Sequence, residues 1–169
     1  QVTGGFIALS PNTPLVRHVE MPQRSRPLSV QLPLKVLAVI SSPQDLPRLN
    51  VNAEWRKLHD SLEPLCDVGL IQVEKLERPT LPALQATLRQ NQYHIFCYIG
   101  HEGIDESSQQ CALMFEALNG EGRPVNGQYL GTLLQDNRLR LAILNICESS
   151  RIFHDAPTTG IAQTLVAQG

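Results

Sequence analysis

The chain has 169 residues, 42% of them hydrophobic and 18% charged, with a formal net charge of −2. That length supports one compact domain with a real core, and the slightly acidic balance lacks the basic surface that nucleic-acid binding needs. No run of about eighteen apolar residues is present to span a membrane, and the opening QVTGGFIALSPNTP has neither the charged nor the apolar region of a secretory signal.

Residues 1–33 are rich in proline and poor in periodicity. Within them FIAL and LVRHVEM suit short edge strands, and PQRSRPLSVQLP suits a connector. We expect this stretch to be an N-terminal arm or the end of a preceding segment, with the folded domain at 34–169. LKVLAVIS (34–41) is an apolar strand ending in Ser-Ser-Pro. Next, NAEWRKLHDSLEPL spaces Trp55, Leu58, Leu62 and Leu65 as a helix stripe, with Asn52 as its cap. LIQVEKLE alternates as a strand, and TLPALQATLRQN reads as a helix capped by Thr80 with Pro82 in its first turn.

The strand HIFCYIG (94–100) follows, and then CALMFEALNGEGRPVNG, a hairpin turning at NGEGRP. GQYLGTLLQDN is a helix, LRLAILNI (139–146) a strand and GIAQTLVAQ a helix. The chain starts at Gln1 and stops just after that last helix pattern, where another strand would begin. We therefore expect an excerpt of a longer protein, with a sheet incomplete at its C-terminal side.

Apolar strands alternating with amphipathic helices imply an α/β fold with a mainly parallel sheet and helices on both faces. Right-handed crossovers then align the carboxyl ends of the three apolar strands along one edge, where such sheets place their ligands and chemistry. His101 and Cys147 each stand directly after one of those strands. A histidine beside a thiol favours the thiolate and can later protonate a leaving amine. The four cysteines (Cys66, Cys97, Cys111, Cys147) show no zinc-type spacing, so no zinc site is expected, and chemistry by a Cys-His pair needs neither a metal nor a cofactor. Cys66 and Cys97 suit small core residues in a reducing, intracellular compartment.

Four ordered blocks carry a resemblance: LKVLAVISSPQDLPRLNVNAEWRKL, YHIFCYIGHEGIDE, GRPVNGQYLGTLL and LRLAILNICESS. Over roughly residues 34–169 the chain resembles the CHAT domain, a caspase-like domain often attached to TPR repeats in bacterial proteins, in the clan of caspases, separases and legumains. Cys147 stands roughly fifty residues after His101, close to the order and spacing of caspase-like proteases. The resemblance implies a caspase-like three-layer α/β sandwich and a cytoplasmic cysteine endopeptidase that cleaves protein or peptide substrates. It would be regulated by segments or domains of the same longer chain. Cys147 would be the nucleophile and His101 the base and acid, with the N–H groups of Cys147 and of Glu102 or Gly103 as the oxyanion hole. The family usually has Gly after the histidine and Ala before the cysteine, where this chain has Glu102 and Ile146. Asp105, Glu148 and Arg151 are candidate substrate-pocket residues. Arg123 and Arg151 weigh toward an acidic residue before the cut, Glu148 and Asp155 toward a basic one.

Plainer roles suit most other candidates. His94 reads as a strand-start residue, His59 as a solvated helix position, His18 and His154 as loop residues, and Trp55 as core. NGEGRP does not lead from a strand into a helix, so it is a turn and no phosphate loop. Two other classes fit the pattern: a non-catalytic caspase-like interaction module, and a flavodoxin-like binder that lacks a phosphate loop after its first strand.

Overall fold

The structure is a computed structural model that describes residues 31–135, 139–146 and 160–168. FIAL, LVRHVEM, His18, Cys147, Glu148, Arg151, His154 and Asp155 lie outside the described residues. The elements run β1 (Leu34–Ile40), α1 (Val51–Asp67), β2 (Ile71–Lys75), α2 (Leu81–Gln90), β3 (Ile95–Gly100), β4 (Glu102–Asp105), β5 (Gln110–Glu116), β6 (Gly122–Asn126), α3 (Gly127–Gln135), β7 (Leu141–Ile146) and α4 (Ile161–Gln168).

Four strands form a parallel sheet in the order β2-β1-β3-β7. Each parallel pair needs a long crossover, and α1 and α2 supply those that join β1, β2 and β3. The shared direction brings the carboxyl ends of β1, β3 and β7 to one edge, with Ile40 paired to Ile99 and Gly100 to Ile146. A second sheet, antiparallel in the order β4-β5-β6, rises directly from β3.

Period-two alternation splits the strands between two cores. Leu37, Val39, Phe96 and Tyr98 face one way, against α2, α3, α4 and the buried side of β5 and β6. Val36, Ile40, Cys97 and Ile99 face the other, against Val51, Trp55 and Leu58 of α1. The result is a three-layer sandwich, as the sequence pattern implied. Each large apolar side chain buried this way contributes roughly 1.5–3 kcal/mol, which makes the first core the main source of stability. At the outer strand β7, Leu141 and Ile143 remain half exposed.

Local chemistry explains the ends of the helices. Thr80 caps α2, its hydroxyl accepting from the Ala83 N–H at 3.3 Å, with proline in the first turn. The α1 cap is Asn50 rather than Asn52: its side chain accepts from the Ala53 N–H at 3.0 Å. Val51 packs on the core, so the helix begins two residues earlier than the polar pattern suggested. The hairpin turn also falls earlier than NGEGRP, because Arg123 and Pro124 already belong to β6. Proline is tolerated there since β6 is an outer strand of its sheet. Trp55 is half-buried, in tilted contact with the His59 ring and with the Lys75 ammonium 5.7 Å from its ring centre.

Candidate functional site

Strand β3 is apolar and central, so its side chains are fixed on both faces before the chain leaves the sheet. Its last residue is Gly100, where a larger side chain has no room. An added Cβ would lie 2.5 Å from the Tyr98 hydroxyl and 3.0 Å from the Ser41 carbonyl. The next residue, His101, is 1% exposed. Its backbone is held from two sides: the Met114 N–H donates to the His101 carbonyl at 3.0 Å and the Tyr98 hydroxyl lies 3.1 Å from it. The same hydroxyl is 2.8 Å from the Met114 carbonyl. The histidine is thus the rigid corner between the two sheets.

Among the described residues its imidazole has one hydrogen-bond partner, and that partner fixes its tautomer. Nε2 stands 2.8 Å from the carbonyl oxygen of Pro47. A carbonyl only accepts, so Nε2 carries the proton and donates. In the neutral ring the lone pair then sits on Nδ1. Among the described residues that atom is buried with no hydrogen-bond partner. An orphaned buried nitrogen is costly and rare. Here it is the atom a proton donor would meet, and protonating it leaves the Pro47 bond intact. Pro47 itself is an exposed residue of the segment between β1 and α1. The sequence offered no signal for it beyond the two prolines that stiffen SSPQDLP, since the acting group is a backbone carbonyl.

The residues after the histidine form β4. Glu102 pairs with Leu113 and Gly103 with Ala112, and the Met114-to-His101 bond sets the phase of the ladder. Glu102 therefore occupies a non-hydrogen-bonded position, its N–H turned away from β5 toward the outer side of β4. Gly103 occupies a hydrogen-bonded position, so its N–H is spent on β5. The only non-glycine residue with positive φ among those described is Gln109. Glu102 thus sits in extended backbone that any residue adopts, and glutamate in place of the family's glycine carries no backbone strain.

Asp105 ends β4, and its carboxylate is fully engaged. It accepts from the Ser107 N–H (3.1 Å), the Ser107 hydroxyl (2.6 Å), the Ser108 hydroxyl (2.8 Å) and Asn126 Nδ2 (3.0 Å). These bonds, Ser107 first, hold its carboxyl well below the usual carboxylate range. Arg123 lies in β6. Burial pushes the Cys97 thiol up; it does the same for Cys111, with the neighbouring Glu102 carboxylate adding to the shift.

The β3–β7 ladder is described as far as the Gly100–Ile146 pair. His101 and Cys147 are the residues that come next in the sequence, and Cys147, Glu148 and Arg151 lie outside the described residues. His94 stands before β3 and its Nδ1 accepts the Lys35 N–H at 2.9 Å, a structural role. Among the described residues no three of His, Cys, Asp and Glu are grouped to hold a metal ion, and no helix is long and apolar enough to cross a membrane.

No curated protein matches the chain at a significant level. The sequence profile of the CHAT domain matches residues 7–169, nearly the whole chain. With a parallel sheet whose central strand delivers a buried histidine to its carboxyl edge, the chain belongs to the CHAT domain family, a family of caspase-like peptidases.

Proposed function

We propose that the chain is a cysteine endopeptidase domain in which Cys147 is the nucleophile and His101 the general base and acid. The observation that carries this reading is the state of His101: buried, its Nε2 proton held by the Pro47 carbonyl, and its Nδ1 without a partner among the described residues. That nitrogen takes the thiol proton. The carbonyl at Nε2 then stabilises the imidazolium, which favours the thiolate. The thiolate attacks the scissile carbonyl, and the N–H groups of Cys147 and Glu102 hold the oxyanion. Glu102 supplies the second donor because its N–H is the one that β5 leaves over. The imidazolium returns its proton to the leaving amine, and water, deprotonated at the same Nδ1, releases the acyl group. No cofactor enters this chemistry. The domain acts on protein or peptide substrates in the cytoplasm, under the control of other segments of a longer chain.

The test is the pH dependence of alkylation at Cys147 in the parent protein and in its His101→Ala variant. The expected result is a thiolate that persists well below the free-thiol value of about 8.5 and is lost without His101. Cys97 and Cys111 make a quiet background, because both thiols are pushed up. A Cys147 indifferent to His101, with and without candidate partner segments, would sink the dyad and leave a non-catalytic interaction module.

A further inference from the structure

Pro47 belongs to the segment 41–50 between β1 and α1, and this segment is tied to the β5–β6 hairpin at four points. The Ser41 hydroxyl donates to the Met114 carbonyl at 2.7 Å and the Ser42 N–H to Glu116 Oε1 at 3.0 Å. The Gln44 N–H donates to the Gly120 carbonyl at 2.9 Å, and the Gly122 N–H to Asp45 Oδ1 at 2.7 Å. The hairpin side runs close to the segment. Gly120 has φ +84°, a conformation that favours glycine, and a Cβ there would stand 2.6 Å from Gln44 Nε2; one at Gly122 would stand 2.9 Å from Met114 Cε and in ordinary contact, 3.4 Å, with both Asp45 oxygens. On the far side of Pro47 the Leu49 N–H donates to Ser42 Oγ at 3.0 Å, closing the segment on itself.

Pro47 thus lies between two fixed points, Asp45 and Leu49, while being exposed itself and having no N–H to bond. Its carbonyl is aimed by its neighbours. Two of the four ties end on carboxylates, and charge-assisted bonds to backbone N–H are roughly twice as strong as neutral ones. Glu116 is itself well placed, since its N–H donates to the Pro79 carbonyl at 2.9 Å.

We propose that Asp45 and Glu116 are positioning residues for His101: they clamp the 41–50 segment to the hairpin and so hold the Pro47 carbonyl on Nε2. The catalytic meaning of this clamp rests on the dyad reading above, but the clamp itself does not. When the segment lifts, the imidazole loses its one described hydrogen bond. The proton is then no longer confined to Nε2, and the nitrogen that must take the thiol proton is no longer specified.

The test compares two double variants of the full protein. Asp45→Ala with Glu116→Ala removes both acceptors, whereas Asp45→Asn with Glu116→Gln keeps an acceptor oxygen at each place. Exchange of the His101 Nε2–H with water is followed by nitrogen-15 NMR, the signal being assigned by its loss in His101→Gln. The alanine pair should speed that exchange about tenfold or more, with the amides of β1 and β3 unchanged, as for a local opening. The Asn/Gln pair should stay near the parent. Exchange unchanged in the alanine pair, equal in the two pairs, or raised only together with the β1 and β3 amides would overturn the proposal. If the imidazole proton responds as expected while Cys147 alkylation is indifferent to His101 in the parent, the clamp stands and the dyad fails.

Discussion

On one face of the central sheet, Leu84, Leu113, Phe115 and Leu130 are fully buried against Leu37, Phe96 and Tyr98. On the other face α1 buries none of its residues completely, although it is the longest of the described helices. Its cover rests on half-buried Val51, Trp55 and Leu58, and it leaves Leu141 and Ile143 of β7 half exposed. The thick face sets the frame, and the thin face lies beside the segment that meets His101. Pro47 sits in the segment that leads into α1, yet that segment is tied to the β5–β6 hairpin of the thick face, so the orientation of His101 depends on a surface segment anchored across to the better-packed side. A rigid strand delivers the histidine while a surface segment sets its proton.

Truncations on the two faces give the largest expected contrast. Leu84→Ala should cost about 3 kcal/mol, because a fully buried side chain leaves a cavity, whereas Trp55→Ala should cost about 1–2 kcal/mol, as its ring is only partly removed from water. Denaturant midpoints measured side by side check this, and equal losses would show that α1 is as firmly seated as α2.

Gly100→Ala comes next, at about 2 kcal/mol from overpacking against the Tyr98 hydroxyl and the Ser41 carbonyl. It should also slow Cys147 alkylation, since the Tyr98 bracket around His101 must shift. A variant that is destabilised but alkylates normally would separate the histidine from its bracket.

The helix caps sharpen the same contrast at about 1 kcal/mol. Thr80→Ala, under three buried leucines of α2, should lower the melting temperature more than Asn50→Ala at the exposed start of α1.

The smallest effect is a pH dependence. Asp105 has its folded pKa lowered below the unfolded value of about 3.9. Its contribution is therefore complete above about pH 4 and is lost as pH falls further. Asp105→Asn should flatten that acid limb of a melting-temperature profile. An unchanged limb would mean that the Ser107, Ser108 and Asn126 bonds are kept equally by the protonated acid.

The regular elements were legible because their signals are periodic. The apolar runs at 34–41, 94–100 and 139–146 became β1, β3 and β7, and the stripe at Trp55 and Leu58 became the inner face of α1. What escaped has no period. The stretch EGID became β4 because β5 offers it a partner, a tertiary cause that four mixed residues cannot announce. Asn50 and Asn52 are equally good caps in isolation, and the packing of Val51 chose between them. At the site, His101 was visible from its place after a strand, and its burial and single partner were not. That the N–H of Glu102 points away from β5 follows from ladder phase, which no residue type encodes.

The partner of His101 is a main-chain oxygen, and this bears on how the site tolerates change over generations of sequence drift. A side-chain acceptor in that place would vanish with a single codon change. The Pro47 carbonyl survives every substitution at position 47, and only a change in the path of the chain removes it. Alanine scanning through 41–50 would thus pass over the acceptor itself and register its neighbours instead. The device is hard to erase by point mutation, yet an insertion or deletion of one residue between Ser42 and Asn50 would undo it at once.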